Sequence, residues 1–232
     1  MKAKRFVKII GFDFDGVFIY IETEKAKLFG DLVNKYWGIN SGIAEEVWIK
    51  NSGFSRRWKF DWVYRKYFKT RLTDKQYNKI EKEFSEILLK DYYPQATLIQ
   101  ESVEAAKYLK NKFDLSFVSS GIPYDEIQYL ITNYLLDEYF DVIFGTNHKY
   151  KSKEDHFKEI LSLNHMDFGV FIGDGLEDMR IAQKFNFVAI GLPVHHTSKE
   201  LIDAGANIIS NYDTLKSIYS KISITRIHKW GN

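Results

Sequence analysis

The stretch Phe6-Val7-Lys8-Ile9-Ile10-Gly11-Phe12-Asp13-Phe14-Asp15-Gly16 decides how this chain of 232 residues is to be read. Phe6 to Phe12 reads as a short buried strand. It runs straight into Asp13 and Asp15, two carboxylates with one residue between them. Aspartates often cap helices and shape turns. A pair placed directly after an apolar strand fits that role poorly, so the pair is a candidate for chemistry.

Working outward, the residues from about Glu22 to Asp91 carry apolar side chains at helical spacing, as in Ile80, Phe84, Ile87 and Leu88. Gly38, Gly42 and Gly53 punctuate this stretch as turns. Tyr93-Pro94 ends it. Beyond it the rhythm becomes helix and strand in alternation. Strands are expected at Leu115 to Ser119, Asp141 to Phe144, Gly169 to Gly173, Phe187 to Ile190 and Ala206 to Ile209. Helices are expected at about Thr97 to Lys112, Tyr124 to Leu135, Glu154 to Leu163, Glu177 to Phe185 and Ser198 to Ala204, with a last one after Asp213. Such alternation predicts an α/β fold: a Rossmann-like parallel sheet with helices on both faces. The core would be residues 1–19 and 92–232, interrupted by an all-helical insert at 20–91.

Composition removes several alternatives. Lys and Arg number 33 and Asp and Glu 31, for a net charge of +2, too balanced for a general nucleic-acid or membrane-surface binder. With no cysteine, disulfides and thiolate metal sites are excluded. No apolar run approaches the ~20 residues needed to span a bilayer. The apolar stretch near Ile9-Ile10 is too short for a signal peptide, so a soluble cytoplasmic protein, monomer or homodimer, is expected. Aromatics are plentiful at 16%, and Trp48, Trp58, Trp62 and Tyr64 are assigned to the core of the insert.

In open parallel sheets, ligands bind beyond the carboxyl ends of the strands. The polar residues expected there are Asp13 and Asp15, then Ser119 and Ser120, then Lys153 at a helix start, then Asp174 with Asp178 one turn on. Converging carboxylates repel one another unless a hard divalent cation such as Mg²⁺ joins them. Asp13 could then attack phosphorus as a nucleophile. Asp15 could give a proton to the leaving oxygen and later activate water. Lys153 and the Ser119 hydroxyl could stabilise the charge on the transferring group.

Asp13-Phe14-Asp15-Gly16-Val17, Ser119, Lys153 and Gly173-Asp174-Gly175-Leu176-Glu177-Asp178 resemble, in order, the four motifs of the haloacid dehalogenase superfamily. The branch resembled is that of phosphoglycolate phosphatase and beta-phosphoglucomutase. The resemblance implies a Mg²⁺ site made by Asp13, Asp174 and the backbone carbonyl of Asp15. Ser119, Ser120 and Lys153 would hold the phosphate, and Asp178 would orient Lys153 or metal-bound water. Members that cleave carbon–halogen bonds lack the second aspartate, so Asp15 argues for phosphoryl transfer. The chain departs from the family pattern at Lys153-Glu154, where related phosphatases often have Lys-Pro, and in the segment after Gly16.

The insert lies where this family carries a helical cap. Its Ser52-Gly53-Phe54-Ser55-Arg56-Arg57 is similar to a cap loop that sets an arginine over the substrate, which makes Arg56 a candidate substrate contact. His148 and His156 are assigned to the surface or to loops, and His195-His196 lacks the partner cluster a zinc site would need. The expected activity is a Mg²⁺-dependent phosphatase acting on a small phosphorylated metabolite. A sugar phosphomutase is the alternative, and a phosphate-ligand-binding protein without turnover is a third reading that Asp15 opposes.

Overall fold

A computed structural model of the chain describes residues 6–222. Strand β1 (Phe6–Phe12) leads through a tight turn to β2 (Ile19–Tyr20). Four helices follow: α1 (Glu22–Trp37), α2 (Ser41–Lys50), α3 (Arg56–Phe68) and α4 (Asp74–Ile87). A π-helical turn (Leu88–Tyr92) and a 3-10 turn (Tyr93–Gln95) bring the chain back to β3 (Thr97–Leu98). Strand and helix then alternate: α5 (Gln100–Lys110), β4 (Leu115–Pro123), α6 (Tyr124–Asn133), β5 (Val142–Thr146), α7 (Lys153–Leu163), β6 (His165–Gly173), α8 (Leu176–Lys184) and β7 (Val188–Gly191). The short elements α9 (Ser198–Asp203), β8 (Ile208–Ile209) and α10 (Tyr212–Leu215) complete the described chain.

Six strands form one sheet in the order β5-β4-β1-β6-β7-β8, and every neighbouring pair is parallel. The reason is visible in β1. Ile10 and Phe12 pack into one apolar cluster, with α5 and α6, while Val7 and Ile9 pack into the other, with α7 and α8. A strand buried on both faces needs helices on both, and crossover helices supply them. The α/β fold expected from the alternation is the one observed.

Several boundaries differ from the sequence expectation. Thr97 and Leu98 begin no helix; they pair antiparallel with Tyr20 and Ile19, so the two chain segments that flank the four helices lie side by side. Strand β4 runs on past Ser119 to Pro123, and β6 starts at His165 rather than Gly169. Gly42 sits inside α2 instead of marking a turn. Gly38 does end α1, in the left-handed conformation (φ 66°) that glycine adopts without strain.

The four helices pack around Phe29, Trp48, Phe60 and Phe84, all buried. Phe29 lies 5.0 Å from Trp48 and 4.6 Å from Phe60, ring centre to ring centre. Trp48 is therefore core, as expected, whereas Trp62 is exposed. No helix among the described residues is long and apolar enough to cross a membrane.

Candidate active site

Strand β1 has β4 on one side and β6 on the other, and the chain visits the two sides in turn. The loops leaving β1 and β6 thus diverge to opposite faces and open a crevice, the position where open α/β sheets take their ligands. Asp13 and Asp174 are the first residues past those two strands.

The turn after β1 is wound tightly: the Phe18 amide donates to Phe14 O at 2.8 Å. Gly16 sits at φ +70° within it, and a Cβ there would meet Asp174 Oδ2 at 2.4 Å. Only glycine satisfies both the backbone and the space. Asp13 is fixed by its amide, which donates to Ile172 O at 2.8 Å, and by the Phe14 amide, which donates to its Oδ1 at 2.7 Å.

Lys153 opens α7 and reaches in from the side. Its Nζ lies 2.7 Å from Asp13 Oδ1 and 2.6 Å from Asp178 Oδ1. The other oxygen of Asp178 accepts from the Gly175 amide at 3.0 Å. Asp178 thus touches both Lys153 and the loop after β6. Asp13, Asp174 and Asp178 bring one carboxylate oxygen each to within 4.8 Å of one another, all buried. Asp174 Oδ2 is buried without a hydrogen-bond partner.

Electrostatics follow from this crowding. Burial first and Asp178 second push the Asp13 carboxyl up to about 8. Asp174 is raised well above the usual range by burial and by the charges of Asp13 and Asp178. Burial opposes the charge on Lys153, but Asp13 and Asp178 outweigh it and hold the ammonium protonated. One ammonium among three carboxylates leaves the cluster short of positive charge. The unpartnered oxygen on Asp174 fits a hard, oxygen-seeking divalent cation.

Asp15 is turned toward the four-helix segment. Its Oδ2 accepts from Lys25 Nζ at 2.5 Å, and its Oδ1 is buried without a partner. Burial raises its carboxyl above the ordinary range, with Lys25 pulling the other way. Asp13, Asp15, Ser120, Lys153, Asp174 and Arg56 all line one cavity of about 30 Å³ between the sheet edge and the helices.

Ser119 does not line it. His156 Nε2 lies 3.2 Å from the Gly145 carbonyl, which can only accept, so Nε2 carries the proton. Nδ1 is then the acceptor for the Ser119 hydroxyl, 2.8 Å away. The serine hydrogen expected to serve a phosphate is engaged elsewhere, and Ser120 is the one at the cavity. His156 itself is no surface residue: it is fully buried, and burial, with the Lys153 charge, pushes it down to about 3.

Arg56 also departs from expectation. It is buried, and its guanidinium donates to both carboxylate oxygens of Glu126 on α6, to Glu81 at 2.8 Å and to Ser85 at 3.0 Å. The residue expected to grip substrate thus lines the cavity with its terminal nitrogens engaged by protein carboxylates.

Sequence reasoning passed over Glu22, Lys25 and Lys59, which also line the cavity. The signal was present. Glu22 and Lys25 fall in register with Phe29 and Leu32 on α1, and Lys59 falls beside Phe60 and Val63 on α3. A charge on the buried stripe of a helix is either paired or functional. His196 Nε2 lies 2.8 Å from the Ser52 hydroxyl and ties the α2–α3 loop to the core.

A sequence profile described as haloacid dehalogenase-like hydrolase matches residues 10–192. No curated protein matches the sequence. Among solved structures, a predicted phosphatase from Clostridium acetobutylicum is 20% identical with a TM-score of 0.73, covering 95% of this chain and 100% of that one. A candidate beta-phosphoglucomutase from Bacteroides vulgatus is 15% identical with a TM-score of 0.74, covering 94% and 90%. A predicted phosphoglycolate phosphatase from Haemophilus somnus is 16% identical with a TM-score of 0.67, covering 91% and 97%. These likenesses extend over nearly the whole fold, and the profile spans Asp13, Lys153 and Asp174: the chain belongs to the haloacid dehalogenase-like hydrolases.

Proposed function

We propose that the chain is a Mg²⁺-dependent phosphatase that hydrolyses a small-molecule phosphomonoester through a phosphoryl group carried on Asp13. The observation that carries this reading is the convergence of Asp13, Asp15, Lys153 and Asp174 on one cavity. Asp13, Asp174 and the backbone carbonyl of Asp15 would hold the cation. It would neutralise the carboxylates and the phosphate oxygens and so let Asp13 ionise.

With Asp13 Oδ1 held by Lys153 and the Phe14 amide, Oδ2 is the oxygen assigned to attack. A bond forms from Oδ2 to phosphorus, the ester P–O bond breaks, and the leaving oxygen takes a proton from Asp15. Burial, which raises the Asp15 carboxyl, lets it hold that proton. In the second half, water gives a proton back to Asp15 as its oxygen attacks phosphorus, and inorganic phosphate leaves Asp13. Lys153 and Ser120 contact the phosphoryl oxygens. Ser119 braces that strand end through His156.

The insert, residues 20–91, acts as the cap, and the paired β2 and β3 are its two connections. Closure over the site excludes bulk water. A phosphomutase would need a grip on a second phosphate. Arg56, the candidate for that grip, is committed to Glu126 and Glu81, which favours the phosphatase. The test is phosphate release from a panel of phosphomonoesters with Mg²⁺ and with EDTA. Metal-dependent release is expected. Conversion of a hexose 1-phosphate to the 6-phosphate with little free phosphate would overturn the reading.

A further inference from the structure

The cap wall of the cavity carries polar groups that the phosphoryl chemistry does not use. Glu22 is 7% exposed and its Oε2 has no hydrogen-bond partner. Lys59, 3% exposed, has its ammonium 3.7 Å from Glu22 Oε1 and 3.8 Å from the centre of the Trp48 ring. Trp48 Nε1 is likewise buried without a well-formed hydrogen bond, though it lies close enough to Glu22 to favour its charged form. Burial opposes the charge on Glu22, yet Lys59 and Lys25 outweigh it and keep the carboxylate ionised. Buried acceptors and donors left unpaired are costly, and a ligand that pairs them recovers that cost.

From this wall we infer the class of substrate: a neutral, hydroxyl-bearing leaving group, seated with one hydroxyl donating to Glu22 and accepting from Lys59. The inference rests on the phosphatase reading above. The cations of this wall are engaged by the protein: Lys25 donates to Asp15, Lys59 lies beside Glu22, and Arg56 binds Glu81 and Glu126. A second anionic group would have to compete for them, which favours a neutral leaving group. An apolar leaving group would leave Glu22 Oε2 unpaired.

The experiment compares kcat/KM for phosphate release, with Mg²⁺, from glycerol 3-phosphate, n-propyl phosphate, phosphoglycolate, O-phosphoserine and p-nitrophenyl phosphate. Glycerol 3-phosphate is expected to exceed n-propyl phosphate by about tenfold or more, the worth of hydrogen bonds to charged groups. It should also exceed phosphoglycolate and O-phosphoserine. In Glu22→Gln and Lys59→Met the ratio of glycerol 3-phosphate to n-propyl phosphate should fall towards one. If either variant does not fold, the wild-type ratios alone decide. A wild-type ratio near one, a preference for either charged leaving group, or a ratio unchanged in both folded variants would each overturn the inference. Turnover of p-nitrophenyl phosphate without hydroxyl preference sinks the inference alone; no turnover of any ester sinks the phosphatase reading with it.

Discussion

Arg56 offers the sharpest test of how the cap is built. Its guanidinium links α3 to α4 through Glu81 and Ser85, and to the core helix α6 through Glu126, which also accepts from the Tyr93 hydroxyl. Burial works against its charge, but Glu126 and Glu81 outweigh this and hold it well above its ordinary value. Arg56→Met keeps the bulk and removes the charge, leaving two buried carboxylates without their cation. Breaking a buried pair costs about 3–5 kcal/mol. At about 2–4 °C per kcal/mol for a chain of this size, Tm at pH 7 should fall by roughly 6–20 °C. The loss should shrink as pH falls. Without Arg56, burial raises the folded pKa of Glu81 and Glu126 above their unfolded value. Such groups add stability below the unfolded value, 4.5, and lose it as pH rises through the folded one. Differential scanning calorimetry at about pH 7 and about pH 5, with kinetics on the same samples, reads both effects. A raised KM with Tm unchanged would refute this account and return Arg56 to the substrate.

Gly16→Ala places a Cβ against Asp174 Oδ2 at φ +70° and should cost about 1–3 kcal/mol in unfolding titrations. It should also raise the Mg²⁺ concentration needed for half-maximal rate; an unchanged metal dependence would count against Asp174 as a ligand. His156 sits near 3 when folded against an ordinary 6.5, so the unfolded chain binds the extra proton and stability falls as pH drops through that window. Urea midpoints of His156→Gln should therefore vary less than wild type between about pH 6.5 and about pH 4, and parallel curves would contradict the buried neutral imidazole. Lys25→Met removes the cation beside Asp15 and should lower kcat by about tenfold or more with KM little changed, since Lys25 acts through Asp15 and does not touch the ester.

What could be read in advance follows from where each signal resides. The strand ends were legible because a doubly buried strand is an apolar run, and the residues that stop it stand out: Asp13 after Phe12, Asp174 after Gly173. Lys153 was legible as the first residue of a helix. Ser119 and Ser120 were not separable, because which one faces the cavity depends on β4 continuing to Pro123 and on the register shift between Ser119 and Pro123. His156 was misplaced because its burial is set by Phe144, stacked 5.1 Å away from a different strand. The charges of the cap wall were missed for a related reason. Glu22 and Lys59 are separated by 37 positions, and only the packing of α1 against its neighbours makes them a pair. Arg56 was legible as a candidate, but its ion pair was not, since its partner Glu126 lies on a core helix.

The central claim is that phosphorus is carried on Asp13. Rapid quenching of a single turnover, followed by intact mass and peptide mapping, tests it most directly. The account predicts a transient increase of one phosphoryl group on the peptide bearing Asp13, absent in Asp13→Asn together with phosphate release. Phosphate release that persists in Asp13→Asn, or a phosphoryl group on another residue, would contradict it.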